Sequence, residues 1–174
     1  MEKKFELTDK FVFNTFGIKL FQIKCTKSFK YAKEGDLGGY VEKDENLDQE
    51  SDAWVFGNAR VYGDAWVSGD ARVFGDAQVF GNARVYGDAR VSGDADIEND
   101  NNHCGFDCFG SCNRHTHAYL TKDNKVEITC GCFRGSIEEF EKKVEKTHSG
   151  TIYEKQYKAI INVIKIKFGL TDLI

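Results

Sequence analysis

Residues 51–98 read SDAWVF GNARVY GDAWVS GDARVF GDAQVF GNARVY GDARVS GDADIE, eight hexads in which only the first leading glycine and the last valine are replaced. Ala stands at 53, 59, 65, 71, 77, 83, 89 and 95, and Val at 55, 61, 67, 73, 79, 85 and 91, with Ile97 closing the column. Residues two apart on an extended chain share a face, so each Ala–Val pair marks the inward side of a short strand. Gly followed by Asp or Asn brings the left-handed backbone and Asx-turn chemistry of a corner. Strands this short cannot bury a face alone, so the units must coil and stack, adding Ala and Val to one narrow core. The period of six predicts a β-solenoid. Its Asp/Asn column is corner chemistry rather than a calcium set, because the calcium-binding repeat runs at nine residues with another Gly/Asp pattern.

These hexads resemble the hexapeptide-repeat proteins, whose fold is a three-sided parallel β-helix, usually left-handed, with three hexads per coil. The resemblance covers residues 51–98. Leu37, Gly39, Val41 and Leu47 fall in phase with the repeat columns, so GDLGGYVEKDENL reads as a degenerate first coil, and the solenoid is expected over 35–98 with 35–50 degenerate. The broader layout, GDLGGYV before the repeat and GCFRGSIEEF after it, is similar to β-solenoid proteins of bacteria and their phages. Among hexapeptide-repeat proteins acyltransferases using coenzyme A are common, as are parallel trimers, and the resemblance implies both as expectations.

Two flanking segments complete the organisation. Residues 1–34, with apolar runs on either side of Asn14–Gly17, read as a β-hairpin cap. Residues 99–174 read as a separate α+β unit. Strands are expected over His115–Leu120 and Lys125–Cys130, joined by a turn at Lys122–Asn124, and Gly131–Gly135 as a strand-to-helix turn. Ser136 followed by Glu139 forms a capping box ahead of a helix with Ile137, Phe140 and Val144 on one face. A second helix, from about Tyr153 to Lys167, aligns Tyr157, Ile160, Ile161, Ile164 and Phe168.

The outward positions of the hexads decide what the solenoid can present. With three hexads per coil, residues 18 apart stack about 4.8 Å above one another. Trp54, Arg72 and Arg90 then form one column; Trp66 stacks on Arg84, and Ser68 on Tyr86. So many outward aromatics exceed what a solvated monomer leaves exposed, and three coverings follow: self-association, the caps folding back, or a ligand. Arginine beside aromatic rings suits a planar anion, with guanidinium forks for phosphate and ring faces for a base. Arg72, Arg84, Arg90, Trp54, Trp66 and Tyr86 are therefore candidate ligand residues.

HCGFDCFGSCNRHTH is the other unusual segment. Cys104, Cys108 and Cys112 recur every four residues, ahead of His115 and His117, and Cys130 and Cys132 follow on the next strand. Thiolates and imidazoles gathered by a hairpin are zinc chemistry, but paired CxxC knuckles are missing, and the expectation is packing cysteines with no metal and no cofactor. Amides at the Ser136 helix end, with Arg134 beside them and Arg114, His115 and His117 at the start of the adjacent strand, form a second candidate anion patch.

Composition bounds the rest. The chain has 174 residues, no proline, 17 glycines and a net charge of -4, which excludes collagen and wholesale disorder and gives no general attraction to duplex DNA. No apolar run approaches the roughly 18 residues of a membrane span, and the N-terminal stretch lacks a signal peptide's apolar core, so a cytoplasmic protein without membrane contact is expected. The hexads contain no histidine: all four lie outside them, at 103, 115, 117 and 148. A general base must reach its substrate, so the leading expectation is a non-enzymatic oligomeric binding protein, expected as a trimer, that holds or sequesters a small anionic nucleotide-like ligand, a role suited to a phage accessory protein. A coenzyme A-dependent acyltransferase and a structural or protein-binding spacer are the alternatives.

Overall fold

The computed structural model describes residues 3–170. They divide into two compact units, one ending at Asp100 and the other beginning at Asn101. In the first, an antiparallel hairpin of β1 (Phe5–Phe13) and β2 (Lys19–Cys25) leads to β3 (Leu37–Val41). A single 3-10 turn at Asp44–Asn46 precedes eight two-residue strands: β4 (Trp54–Val55), β5 (Arg60–Val61), β6 (Trp66–Val67), β7 (Arg72–Val73), β8 (Gln78–Val79), β9 (Arg84–Val85), β10 (Arg90–Val91) and β11 (Asp96–Ile97).

These strands pair in parallel at a spacing of 18 residues and build three faces, β5-β8-β11, β6-β9 and β4-β7-β10. The result is a β-solenoid of about 3 turns. Every Ala and Val of the repeat is at most 3% exposed, and the Val column is fully buried. Burying each such valine contributes roughly 1.5–3 kcal/mol, and that is what holds strands of two residues in place. At each corner the left-handed residue is the glycine alone. Gly75 has φ 74°, and a Cβ there would stand 2.8 Å from Gly93 N in the next coil. Glycine thus serves both the turn and the close approach of successive coils. The following residue keeps an ordinary φ and bonds coil to coil, as Asp76 N–H does to Gly93 O at 3.0 Å.

The degenerate coil is real but its phase differs from the expected one. Val41 pairs with Val61 and Leu47 bridges Val67, so both sit in the valine column rather than the alanine column. Both pairs are 20 residues apart, whereas Trp54 and Arg72 are 18 apart, so two extra residues lie between Leu47 and Trp54. Leu37, expected inside, is 57% exposed. Gly38 takes the inner place because β2 lays Ile23 across it: a Cβ on Gly38 would meet Ile23 Cγ1 at 2.5 Å and Val55 O at 2.7 Å. The hairpin is continuous with the solenoid through β2-β3 and β3-β5 pairing.

The second unit is an antiparallel meander, β12 (His103–Phe109), β13 (Arg114–Leu120), β14 (Val126–Cys130) and β15 (Phe133–Ser136), followed by α1 (Ile137–His148) and α2 (Ile152–Lys167). The stretch expected as a strand-to-helix turn is instead a tight turn at Gly131–Cys132 followed by β15. FRGS is too polar to announce a strand, and β14 provides the pairing that makes it one. Ala118, Ile128, Cys130, Phe140, Tyr157 and Ile161 belong to the core between the sheet and the two helices. Among the described residues no helix is long and apolar enough to cross a membrane.

Candidate functional site

The outward columns stand where the repeat places them: Trp54 aligns with Arg72 and Arg72 with Arg90, and Trp66 aligns with Arg84. Their environments differ sharply. Trp54 is 1% exposed because the N-terminal segment folds over it; its ring centroid lies 6.3 Å from Phe5 and 5.3 Å from Phe29, both edge-on. Below them Lys4 donates to Ser51 O at 2.6 Å and Ala53 O at 2.8 Å, and burial pushes its ammonium down to about 8. Arg72 lies 4.9 Å from the Tyr31 ring centroid. Arg90 is half-buried.

On the β5-β8-β11 face, Tyr62 stacks on Phe80 at 5.1 Å and 12°, and Leu20 of the hairpin covers them. The hairpin and the segment after it therefore cover two faces. The third differs: Trp66 is 42% and Tyr86 63% exposed, Arg84 is exposed, and Ser68 between them is buried. Among the described residues the Arg84 guanidinium enters no ion pair. Of six outward candidates, the fold gathers Trp66, Arg84 and Tyr86 into one accessible stripe and withdraws Trp54 and Arg72 behind the cap.

The second candidate set is parted by the sheet. Register places His117, Thr129 and Arg134 in one row and His103, Tyr119, Glu127 and Ser136 in the next, all on the face away from the helices. His117 is 1% exposed, and its Nε2 lies 3.0 Å from His103 Nδ1. His115 Nδ1 lies 2.5 Å from Asp107 Oδ1, and its ring packs against Gly105, where a Cβ would come within 2.6 Å of Cε1. Arg134 grips Glu127 with two bonds of 2.7 and 3.0 Å, and Tyr119 O–H donates to the same carboxylate at 2.6 Å. Ser136 caps α1, accepting from Glu139 N–H, and donates to Glu138, whose carboxyl is held below its usual range by that bond. Carboxylates thus already occupy the helix end that was expected to face an anion. Arg114 turns aside to the β14–β15 turn, against Gly131.

The cysteines are dispersed. Cys104 packs toward the helices, where burial raises its thiol to about 11; Cys108, Cys112 and Cys132 are exposed; Cys130 lies in the core and accepts from Thr116 Oγ1 at 3.3 Å. Among the described residues no three His, Cys, Asp or Glu side chains are placed to hold one metal ion.

A family model described as the YdcK beta solenoid repeat matches residues 53–69, 77–93 and 83–96, all within the hexads and their three-faced coils. This chain is a β-solenoid repeat protein. No curated protein matches it. The match carries the fold, and an activity has to be argued from the side chains that the fold presents. Sequence reasoning missed Lys4, Phe5, Phe29 and Tyr31, which decide which columns remain open; their spacing carries no periodic signal.

Proposed function

We propose that the protein is a non-enzymatic binding protein and that the β6-β9 face is its ligand platform, taking a planar anion of the nucleotide class. The observation that supports this reading is the exposed stripe of Trp66, Arg84 and Tyr86, with an unpaired guanidinium between two accessible rings. A base stacks on the rings, and the guanidinium fork takes the phosphate. Trp54 is buried, so Trp66 is the solvent-facing one of the two tryptophans and reports directly on ligand contact. Titration with adenosine and guanosine mono- and triphosphates is expected to quench Trp66 emission saturably. Arg84→Lys keeps the charge but loses the planar fork, and affinity should fall about tenfold even at low salt. Unchanged emission at millimolar nucleotide would sink the reading.

The same stripe supports a second reading, self-association. Trp66 and Tyr86 are exposed rings on a face that is identical on every copy, and a closed trimer covers them without leaving an open edge. Ligand clefts favour such interfaces, so the two readings are compatible. Light scattering at micromolar concentration should give three times the mass of 19.7 kDa. A monomeric mass, unchanged by Trp66→Ser, would remove the trimer.

A further inference from the structure

The C-terminal unit contains a cleft of about 100 Å³ between the β14–β15 turn and the facing sides of α1 and α2. Its floor is apolar and aromatic, and its walls are preformed by ring packing. Phe133 and Phe140 have centroids 5.0 Å apart, Phe140 and Tyr157 5.6 Å, and Tyr157 and His148 5.5 Å. Burial pushes the Tyr157 phenol well up, so it stays neutral, with its oxygen 3.8 Å from Cys130 Sγ. The rim is cationic, carrying Arg114 and Lys143.

Three features separate this rim from an ordinary solvated surface. Arg114 is set in place by Gly131: a Cβ there would lie 2.5 Å from one guanidinium nitrogen, and only glycine leaves that space. Second, Lys158 and Lys165 of α2 find carboxylates, at Glu154 (2.8 Å) and Glu141 (2.7 Å). Among the described residues Arg114 and Lys143 enter no ion pair. Third, the cations are not needed to finish α1, because Thr151 donates both its N–H and its hydroxyl to His148 O. Two unpaired cations beside a preformed aromatic floor are complementary to an anion that carries an apolar body.

Volume narrows the class. The cleft is smaller than the apolar cavity of about 150 Å³ that encloses one benzene ring, so it seats at most part of a single ring or a short branched chain, the rest of the ligand standing at the rim, and has no room for a base with its sugar and phosphate. We propose that the cleft binds a compact monocarboxylate, with its ring or branched chain against Phe140 and Tyr157 and its carboxylate at the Arg114 and Lys143 rim. Guanidinium favours carboxylate through two parallel N–H···O bonds, and a neutral phenol in the floor offers no repulsion. The site lies on other residues than the Trp66–Arg84–Tyr86 stripe and does not depend on the nucleotide reading.

Calorimetric titration of the full-length protein with benzoate, benzyl alcohol and inorganic phosphate tests the assignment. Benzoate is expected to bind saturably in the millimolar range or tighter, and better than either benzyl alcohol or phosphate. Arg114→Gln, at an exposed position whose loss spares the core, should weaken benzoate at least about tenfold, as removal of a charge-assisted bond does. Its effect on benzyl alcohol should be small. Lys143→Gln should weaken benzoate less, because an ammonium is a point charge without the planar fork of a guanidinium. Circular dichroism of both variants should match the parent, and Arg84→Lys should leave benzoate affinity unchanged. Absence of saturable benzoate binding, indifference of that binding to Arg114→Gln, or phosphate binding as tightly as benzoate would each overturn the assignment.

Discussion

Val73→Asp is expected to destroy the cooperative melting of the solenoid, whereas Arg72→Ala lowers its midpoint by a few degrees. The two residues are neighbours on β7, yet Val73 points into the core, fully buried between Val55 and Val91 of the adjoining coils. A carboxylate there meets only alanine and valine. Its desolvation costs several kcal/mol without a partner to offset it, a large share of what a unit of this size possesses. The aspartate escapes part of this by staying protonated. Its folded-state pKa then lies above its unfolded value, so the deficit should shrink as pH falls from 7 toward 4 and grow as pH rises. Arg72 contributes little by comparison: its contact with the Tyr31 ring is worth about 0.5–1 kcal/mol at a partly exposed site. Its buried Nε has no hydrogen-bond partner among the described residues, so truncation removes a cost as well as a contact. Circular dichroism melts of the two variants decide this; equal losses would mean that the inward and outward assignments are wrong.

Trp54→Ala should cost about 3–5 kcal/mol, the range for emptying a buried aromatic site. Trp66→Ala should stay within about 1 kcal/mol. The two residues occupy the same position of the hexad, but Trp54 lies under Phe5 and Phe29 while Trp66 is 42% exposed. Without the indole, the edge-on contacts that fasten β1 and the 26–34 segment to the solenoid are lost, and protease cleavage between Thr26 and Glu34 should accelerate. Urea unfolding followed by circular dichroism measures the energies, and limited proteolysis reads the release. Similar losses for both variants would show that the N-terminal segment does not use Trp54 as its anchor.

The repeat was legible because its determinants are local. Two-residue alternation on a strand and a six-residue turn-to-turn period specify which side chains face inward, and the 18-residue stacking of Trp54, Arg72 and Arg90 follows by arithmetic. Legibility failed where the chain leaves that period. Asp48–Asp52 is polar throughout, and nothing in it marks the two extra residues that move Val41 and Leu47 into the valine column. Gly38 displaces Leu37 from the core because Ile23, fifteen residues upstream, already fills the space. Similarly, Phe133–Ser136 becomes a strand through pairing with Val126–Cys130 rather than through its own composition.

The candidate site follows the same division. That Trp54, Trp66, Arg72, Arg84 and Tyr86 point outward was readable from the hexad. Which of them stay accessible was not, because burial of an outward residue depends on partners distant in the chain: Phe29 for Trp54, Tyr31 for Arg72, Leu20 for Tyr62. Likewise Arg134 and Glu127, seven residues apart, meet because they lie on adjacent strands on one face, and the bond between them sets a carboxylate against the arginine. Sequence alone determined the β-solenoid, its three faces and its inward columns, since each repeat dictates its neighbour through a fixed period. Only tertiary structure decided which face remains open and which cations remain unpaired, since hydrophobic coverage and charge neutralisation act across whatever the chain brings together and leave no period to read.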